Sequence, residues 1–412
     1  MSVPQTPGPT LCAIALAVLA FGCGEWLGSD GGTEPTDHQE PRNLNQIDGD
    51  GTGPTEARPE DLQIVDVAVP TPNWALAIHG GAGSANRATT DAEDYYEALR
   101  EALSLGAEQL AGGEASLRVV ENVVAALEDD PRFNAGRGSV FTTIGTHEMD
   151  AAIMDGRSLA CGAVAAVKNV RNPIRLARRV MEDTRHVLMA GAGADNFGVV
   201  AGVRREPQAY FSTERQLERF RELRARRGAS QDESGDSAAT TAGDYTGNAG
   251  APAALGGASH LATVGTVAMD RYGNLAAATS TGGTMLKRIG RVGDVPVIGA
   301  GTYANNSTAA VSCTGRGEEF IRHAVAHDVS ARIEYGGLTL QEAVRQVIQE
   351  KLRPGDGGLI AVGPDGAIAM EFNTNAMFRG AADSLGRFDV GIWDEVRRGQ
   401  PPSEQPEAEA PP

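Results

Sequence analysis

The apolar positions of the chain change their spacing several times between residues 74 and 395. Residues 92–111 and 115–129 carry apolar side chains at i, i+3 and i+4, which predicts two amphipathic helices. The segments "EMDAAIMD" and "ACGAVAAV" are apolar over strand lengths and a turn separates them, which predicts a hairpin. The segment "NPIRLARRVMED" opens with Asn-Pro and has helical spacing, and a strand-like "HVLMAG" and a short helix come next.

The pattern after residue 262 begins with strands and continues with helices. "TVGTVAMD", "NLAAATST", "VPVIGAG" and "AAVSCTG" are typical of strands, and helical spacing follows in "GEEFIRHAVAHDVSARIEYG" and "TLQEAVRQVIQEKL". The segment "GLIAVGPDGAIAMEF" predicts a closing pair of strands joined by a Pro-Asp-Gly turn. Because strands and helices form separate runs, the pattern favours an α+β layered domain over a doubly wound sheet.

Three regions lack this periodicity. Eleven Asp and Glu stand against two Arg in residues 24–70, so we expect residues 24–73 to form a disordered acidic tether, and residues 396–412 a disordered tail. Residues 212–262 predict a charged helix with little to bury, followed by a disordered linker. A structureless stretch of that length is unusual inside a domain, so we interpret the linker as a place where the chain is cut.

The first 23 residues predict a signal peptide. The stretch "LCAIALAVLAF" is too short to span a bilayer but suits the apolar part of a secretory signal. In "AFGC", Cys23 follows a small residue, which resembles a bacterial lipoprotein signal whose cysteine is acylated. We therefore expect an exported protein, either periplasmic or held at a membrane by a lipid anchor on Cys23. The alternative is an uncleaved apolar leader on a cytosolic protein.

Composition and motifs exclude several classes of partner and of catalytic site. A formal net charge of −18 over 412 residues argues against nucleic acid as a partner. The cysteines outside the signal, Cys161 and Cys313, predict two buried thiols rather than a disulfide. The sequence has no G-x-S-x-G elbow, H-E-x-x-H pair, phosphate-binding loop or paired C-x-x-C. No histidine has a metal-ligand spacing, and we interpret both His79 and His260 as structural.

Hydroxyl side chains remain as candidate nucleophiles. Thr263 begins a strand directly after the linker, and Thr281 ends the next strand, where antiparallel pairing would bring it beside Thr263. Thr314 ends a strand at a Gly-rich turn that opens a helix, a place where backbone N–H groups can hold an oxyanion. A threonine hydroxyl needs a base. Cleavage after Ala262 would free the α-amino group of Thr263, whose reference pKa near ~8 suits that task.

At these positions the sequence resembles the plant-type L-asparaginase and isoaspartyl peptidase family of N-terminal nucleophile hydrolases. The matching motifs run from about residue 74 to about residue 394 and are "IHGGAG", "FNAGRG" with "HEMDAAIMDG", "TVGTVAMDRYGNLAAATSTGG", "GRVGD", "GAGTYANN", "VSCTGRGE" and "FNTNAMFRG". The resemblance implies a four-layer αββα sandwich and a cut between an α subunit of residues 74–262 and a β subunit of residues 263–395. It also implies a dimer of cleaved pairs.

The resemblance implies a reaction as well. Such an enzyme hydrolyses the side-chain amide of L-asparagine and of β-aspartyl dipeptides through a covalent aspartyl-threonine ester, with no cofactor in catalysis. Thr263 would be the nucleophile and, through its amine, the base. Thr281 would orient the nucleophile, and Thr314 with the Gly315 amide would form the oxyanion hole.

The substrate head group has its own implied residues. Arg291 would hold the α-carboxylate and Asp294 the α-ammonium, with Gly315 and Gly317 lining the same place. A guanidinium fork fits a carboxylate bidentately, and a zwitterion needs one partner of each sign. Val295 stands where the family usually has serine, which predicts an altered substrate preference.

Two further features follow from the resemblance. Asn134, in "FNAG", matches a residue linked to the maturation cut between Ala262 and Thr263. The stretch "LEDDPRFNAGR" resembles the family's sodium-binding loop, and hard cations prefer oxygen ligands. The implied ligands are the main-chain carbonyls of Leu127, Glu128, Asp130, Phe133, Ala135 and Arg137.

Several alternatives stay open at this level. Threonines favour strands, so the three candidate threonines could be ordinary β residues. Arg291 and Asp294 could form a surface ion pair, and Asn134 could be a turn former. Two other functions fit the same sequence: a glycosylasparaginase, or a cleavage-dead binding lipoprotein with the same fold.

Overall fold

The structure is a computed structural model that describes residues 70–233 and 263–399, with side chains up to residue 227 in the first range. The predicted signal peptide with Cys23, nearly all of the acidic tether, the linker with Ala262, and residues 400–412 lie outside the described residues. Within the two described ranges, none of the helices combines the length and apolarity that crossing a bilayer requires.

The described strands form two sheets, one of nine strands and one of four. Their bounds are β1 (Ala75–Gly83), β2 (Met149–Asp155), β3 (Cys161–Val167), β4 (Leu188–Ala190), β5 (Thr263–Met269), β6 (Leu275–Thr281), β7 (Thr302–Asn305), β8 (Ala309–Gly315), β9 (Gly357–Val362), β10 (Ile368–Phe372), β11 (Ala376–Asp383), β12 (Phe388–Gly391) and β13 (Val396–Arg398). The larger sheet has the order β13-β12-β11-β1-β5-β6-β2-β3-β4, and the smaller one β10-β9-β8-β7.

The described helices lie on the outer faces of these sheets. Their bounds are α1 (Ala92–Ala111), α2 (Ser116–Asp129), α3 (Pro173–Asp183), α4 (Gly191–Val200), α5 (Gln208–Phe211), α6 (Glu214–Glu233), α7 (Gly317–His323), α8 (Val325–Glu334) and α9 (Leu340–Arg345), with a π-helical segment at Gln346–Lys351. Helices α1 to α4 pack on the larger sheet, and α8 and α9 on the smaller one. The sheets face each other through β5 and β6 on one side and β8 on the other. The predicted four-layer αββα sandwich is therefore confirmed.

Local sequence explains where these elements begin. Pro173 stands in the first turn of α3, where a missing N–H costs nothing. Thr339 caps α9: its hydroxyl accepts the Glu342 N–H at 3.3 Å, and the Glu342 carboxylate accepts the Thr339 N–H at 3.0 Å. This reciprocal pair satisfies two N–H groups that a helix start would otherwise leave unpaired.

Small side chains let the two sheets approach closely. The inner layer is rich in alanine, with Ala75, Ala77, Ala277 and Ala310 all fully buried there. At Gly265 in β5 a Cβ atom would lie 2.0 Å from the Ser312 hydroxyl, so only glycine fits. This contact brings the strand that begins at Thr263 against the strand that ends at Thr314.

Most predicted elements are present, and two predictions in the second half are wrong. The paired helices, the β2–β3 hairpin and the strands β5, β6, β8, β9 and β10 are confirmed. "VPVIGAG" is a series of turns rather than a strand, and the strand lies later, at Thr302–Asn305. The helix predicted after Gly317 is two helices, because Ala324 adopts a left-handed conformation with φ of 48°.

The larger sheet extends beyond what the sequence pattern indicated. Strands β11 and β12 follow the predicted final pair, and β11 lies beside β1 in the middle of the sheet. The predicted disordered tail begins at residue 396, yet Val396–Arg398 forms β13 against β12. The Arg397 guanidinium lies 3.7 Å from the centre of the Tyr96 ring and bonds Glu93. These contacts with helix α1 hold the strand in place, so residues 396–398 do not belong to a disordered tail.

Helix α6 buries more than its charged sequence predicted. Phe220 is buried against Phe141, with 5.0 Å between ring centres, and both belong to a cluster with Leu286. The Gln216 side chain donates to the Gly138 carbonyl at 2.8 Å. Helix α6 is thus docked on the segment between α2 and β2 and on Leu286, in the loop that follows β6.

Packing between α1, α2 and β1 gives a stability prediction. In α1 a Cβ on Gly106 would lie 2.6 Å from Leu76 and 3.0 Å from Val123, so Gly106→Ala should lower the free energy of unfolding by about 1–3 kcal/mol. Gly193 in α4 has nothing within 4 Å of such an atom. Gly193→Ala is the matched control and should leave stability unchanged or raise it by up to about 1 kcal/mol. Urea unfolding followed by circular dichroism measures both, and equal midpoints would contradict the packing described.

Candidate active site

Thr263 and Thr281 lie side by side on neighbouring strands. The antiparallel register of β5 and β6 pairs these two residues directly, so their side chains share one face of the sheet. The Thr263 hydroxyl donates to the Thr281 hydroxyl oxygen at 3.3 Å, and the Gly283 N–H donates to the same oxygen at 2.9 Å. Both threonines are buried. The predicted pairing of the two threonines is confirmed.

His79 in β1 connects Thr263 to the smaller sheet. Its Nδ1 lies 3.0 Å from the Thr263 carbonyl oxygen, which can only accept, so Nδ1 carries the hydrogen. Its Nε2 then accepts from the Ser312 hydroxyl at 2.8 Å. Burial lowers the pKa of His79 from 6.5 to about 3, and the bond to the Thr263 carbonyl opposes this only in part. The ring is neutral and fixes the main chain of Thr263.

A chain of hydroxyl groups continues from His79 between the sheets. Ser312 in β8 lies 2.7 Å from the Thr279 hydroxyl in β6, which accepts from the Thr302 hydroxyl at 2.8 Å. All three side chains are fully buried. Buried hydroxyl groups that satisfy one another are far less costly than unpaired ones, and they fix the sheets in one relative position.

Thr314 and Gly315 lie at the predicted end of β8, directly before α7. The Thr314 hydroxyl accepts the Ala82 N–H at 3.0 Å, so its own hydrogen remains to be donated elsewhere. Gly315 has a φ of 152°, and a Cβ there would lie 2.1 Å from the Asp356 carbonyl oxygen. Only glycine allows β9 to pass this close to the turn.

Arg291 is held beside this turn by Glu318 of α7. Its Nε and Nη2 donate to the two carboxylate oxygens of Glu318 at 3.1 and 3.0 Å. The Arg291 side chain is only 17% exposed. A Cβ on Gly317 would lie 3.0 Å from its Nη2, and one on Gly293 would lie 2.8 Å from its Nη1. Glycines therefore surround the guanidinium and leave its Nη1 side open to a small ligand.

Asp294 is a buried carboxyl group next to Arg291. Gly317 brings the turn after β8 to it: a Cβ there would lie 2.8 Å from Asp294 Oδ1. Among the described residues Oδ2 has no hydrogen-bond partner. Burial raises the pKa of Asp294 to about 7, against the opposing effects of its own N–H and of Arg291. Because Arg291 bonds Glu318 and Asp294 is buried, the alternative of a surface ion pair between them is wrong.

Asn134 binds the segment that follows Thr281. Its side-chain amide donates to the Gly283 carbonyl at 2.8 Å and accepts the Val140 N–H at 2.9 Å, while its carbonyl accepts the Gly282 N–H. A Cβ on Gly282 would lie 2.4 Å from the Asn134 side-chain oxygen. Asn134 is thus more than a turn former, since it fixes the two glycines beside the nucleophile pair.

The predicted sodium loop is well ordered through its main chain. The Glu128 carbonyl accepts the Arg137 N–H at 2.7 Å, and the Asp130 carbonyl accepts the Phe133 N–H at 3.3 Å. Helix α2 ends before Pro131, which has no N–H for the Leu127 carbonyl. Burial raises the pKa of the Glu128 carboxyl to about 8. Sodium binding itself stays a prediction.

Sequence reasoning missed part of this site. It treated His79 as structural without finding its bond to Thr263, and it did not single out Ser312, Thr279 or Glu318. Alternation along β5, β6 and β8 gives a partial indication, since Thr279 and Ser312 stand two residues before Thr281 and Thr314. Val295 is fully buried, and its carbonyl oxygen lies 3.1 Å from the Thr302 hydroxyl oxygen. Across the described residues no group of three His, Cys, Asp or Glu side chains could hold a metal ion.

Comparison with known proteins identifies the family. The profile of the family described as "Asparaginase" matches residues 72–392. An isoaspartyl peptidase of Salmonella typhimurium is 47% identical over 325 residues, which cover 78% of this chain and 98% of that protein. A probable isoaspartyl peptidase/L-asparaginase 2 of Arabidopsis thaliana is 43% identical over 78% of this chain and 99% of its own length.

A human isoaspartyl peptidase/L-asparaginase is 38% identical over 321 residues, 78% of this chain and 96% of that protein. The family match covers residues 72–392, the part of the chain in which the site above lies. Together with the four-layer fold, they show that the chain belongs to the asparaginase family of N-terminal nucleophile amidohydrolases.

Proposed function

We propose that the protein is a self-cleaving hydrolase of the side-chain amide of L-asparagine and of β-aspartyl dipeptides, and that it releases L-aspartate. The contact between the Thr263 and Thr281 hydroxyl groups, at the first residue after the linker, supports this most directly. The relatives carry the names isoaspartyl peptidase and L-asparaginase, in agreement with that substrate class.

The first step of the proposed chemistry is the cut between Ala262 and Thr263. The Thr263 hydroxyl attacks the carbonyl carbon of Ala262, the peptide nitrogen takes the proton and leaves as the new α-amine, and water hydrolyses the resulting ester. Thr281 orients the attacking hydroxyl and Asn134 holds the glycines beside it. The products are an α subunit that ends at Ala262 and a β subunit that begins with Thr263.

The new α-amine then acts as the base. It accepts the proton of the Thr263 hydroxyl, whose oxygen attacks the side-chain carbonyl of the substrate. The Thr314 hydroxyl and the Gly315 N–H would hold the oxyanion. The leaving amine takes the proton, an aspartyl-threonine ester remains, and water, deprotonated by the same amine, releases L-aspartate.

The substrate head group would bind between Arg291 and Asp294. The space that glycines leave beside Arg291 suits the α-carboxylate, and Asp294 Oδ2, which has no partner among the described residues, suits the α-ammonium. We also propose that cleaved pairs form dimers, that sodium occupies the loop of residues 127–137, and that the protein is exported, with or without a lipid on Cys23.

A matched pair of substitutions tests the nucleophile. Thr263→Val removes the hydroxyl at constant volume and should abolish both the cut and hydrolysis, so that a denaturing gel shows one uncut band. Thr266→Val, in the same strand, removes a buried hydroxyl that has no hydrogen-bond partner among the described residues, and should cleave and hydrolyse normally. An active, intact Thr263→Val protein, or active wild-type protein whose bond after Ala262 is unbroken by mass spectrometry, would contradict the mechanism.

The raised pKa of Asp294 predicts how substrate binding depends on pH. Below about 7 the carboxyl is protonated and cannot attract the α-ammonium, so KM should rise as pH falls through about 7 and be about tenfold above its plateau at about pH 6. Asp294→Asn should raise KM at high pH and remove this step. The pH dependence of kcat, set by the α-amine, should remain in both proteins. A wild-type KM that is constant over this range would contradict the role of Asp294.

A comparison of substrates separates the remaining alternatives. We expect β-Asp-Leu to have the highest kcat/KM, followed by L-asparagine, with N-acetylglucosaminyl-asparagine lowest. Preferred release of the sugar amine would favour a glycosylasparaginase instead. Wild-type protein that stays uncut on prolonged incubation and hydrolyses none of the three would favour a binding lipoprotein.

A further inference from the structure

Three buried charged residues lie near Arg291 and Asp294, which together form the proposed substrate clamp. None of the three has a part in the proposed chemistry. Glu148 directly precedes β2 and is 2% exposed, Asp150 in β2 is 0% exposed, and Lys287 follows β6 and is 4% exposed. A buried charge is costly unless it is paired and hydrogen-bonded, so such a cluster needs an explanation.

Glu148 contacts both ends of the short segment that leads into Arg291. Its carbonyl accepts the Lys287 ammonium at 2.7 Å, and its Oε2 accepts the Gly290 N–H at 2.8 Å. The chain turns between Arg288 and Arg291, where the Arg291 N–H donates to the Arg288 carbonyl at 3.1 Å. Gly290 has a φ of 77°, a conformation that favours glycine. Glu148 therefore fixes the main chain of the residue directly before Arg291.

The other charges in the cluster balance each other. Burial lowers the pKa of Lys287, as does the charge of Arg291, while Asp150 and Glu148 act in the opposite direction. Burial raises the pKa of Asp150, and Lys287 and Arg291 oppose it. The second oxygen of Glu148 lies 3.3 Å from the Lys168 ammonium. Two acids thus face two lysines and the clamp arginine.

This cluster is also connected to the nucleophile. Asp150 pairs directly with Thr281 in the register of β2 and β6, and Thr281 pairs with Thr263. The three side chains therefore lie in one row on one face of the sheet. The Asp150 carboxylate accepts the Ala166 N–H at 2.8 Å, at a bulge where Ala166 has a φ of 52°. The segment with Arg291 is fixed to the strand that supports the reacting threonines.

We propose that Glu148 is a positioning residue for the substrate clamp: through Gly290 and Lys287 it fixes Arg291 where the α-carboxylate of the substrate binds. This inference rests on the proposed function. Glu148 touches neither substrate nor nucleophile, so its loss weakens binding in the ground state and in the transition state alike. Such a change raises KM and leaves kcat nearly unchanged.

The test compares Glu148→Gln with a matched control, Asp270→Asn. Asp270 is also 2% exposed, and its carboxylate accepts backbone N–H groups of Ser116, Tyr272 and Asn274. It follows the far end of β5, about 20 Å along the strand from Thr263. Both substitutions remove one buried charge that holds a turn, and only Glu148 contacts the Arg291 segment.

For cleaved Glu148→Gln we expect KM for β-Asp-Leu to rise about tenfold while kcat stays within about twofold of wild type. Asp270→Asn should leave both constants within about twofold of wild type, even if its melting temperature falls as much as that of Glu148→Gln. Unchanged KM in Glu148→Gln, or an equal rise in Asp270→Asn, would overturn the proposal. If Glu148→Gln does not melt cooperatively, Glu148→Asp replaces it, and the same rise is expected because the shorter side chain does not reach Gly290.

Binding of L-aspartate, measured by calorimetry, separates this inference from the proposed function. Wild-type protein that binds L-aspartate and hydrolyses no β-aspartyl amide would overturn the proposed function alone. The positioning role then predicts an L-aspartate Kd about tenfold weaker in Glu148→Gln and unchanged in Asp270→Asn. Wild-type protein that does not bind L-aspartate would overturn both, since there would be no clamp to position.

Discussion

The close contact between the two sheets at His79 is the constraint on which the rest of the site depends. His79 spans from the Thr263 carbonyl in the larger sheet to the Ser312 hydroxyl in the smaller one. Gly265 allows this approach, since any side chain there would displace the imidazole or the hydroxyl. The strand that begins with Thr263 and the strand that ends at Gly315 are therefore held in one fixed geometry. A neutral imidazole suits this role because the Thr263 carbonyl and the Ser312 hydroxyl satisfy one nitrogen each.

The charged side chains of the site differ in whether a partner compensates their burial. Arg291 has one side on Glu318, and the Arg291 hydrogen bond and charge outweigh the effect of burial and lower the pKa of that carboxyl. Among the residues the structure describes, Asp294 lacks such a partner on one oxygen, and burial raises its pKa to about 7. A ligand with one carboxylate and one ammonium supplies an anionic partner for Arg291 and a cationic partner for Asp294. The zwitterionic head of an α-amino acid is the simplest chemical match to this arrangement.

The sequence pattern predicted an α+β layered domain, the pairing of Thr263 with Thr281 and the position of Thr314, because strand alternation and Gly-rich turns are local. The four-layer arrangement was implied only by the resemblance to a known family. It did not predict β11 to β13, since β11 pairs with a strand some 300 residues earlier in the chain. Phe220 shows the same limit: its charged neighbours indicated an exposed helix, and only the fold brings Phe141 and Leu286 to it. Contacts between distant segments also explain why His79 and Glu318 were missed.

The contacts of Thr263 bear on how one site can serve both the cut and the hydrolysis. Its hydroxyl bonds Thr281 and its carbonyl bonds His79, and neither contact involves its main-chain nitrogen. Breaking the bond to Ala262 would therefore leave both contacts in place and change only the nitrogen, from an amide that cannot accept a proton to an amine that can. Because folding already arranges these groups, no further free energy is needed to assemble them when a substrate binds. In the proposed mechanism, the strand register would allow a single hydroxyl to act first on its own chain and then on a substrate.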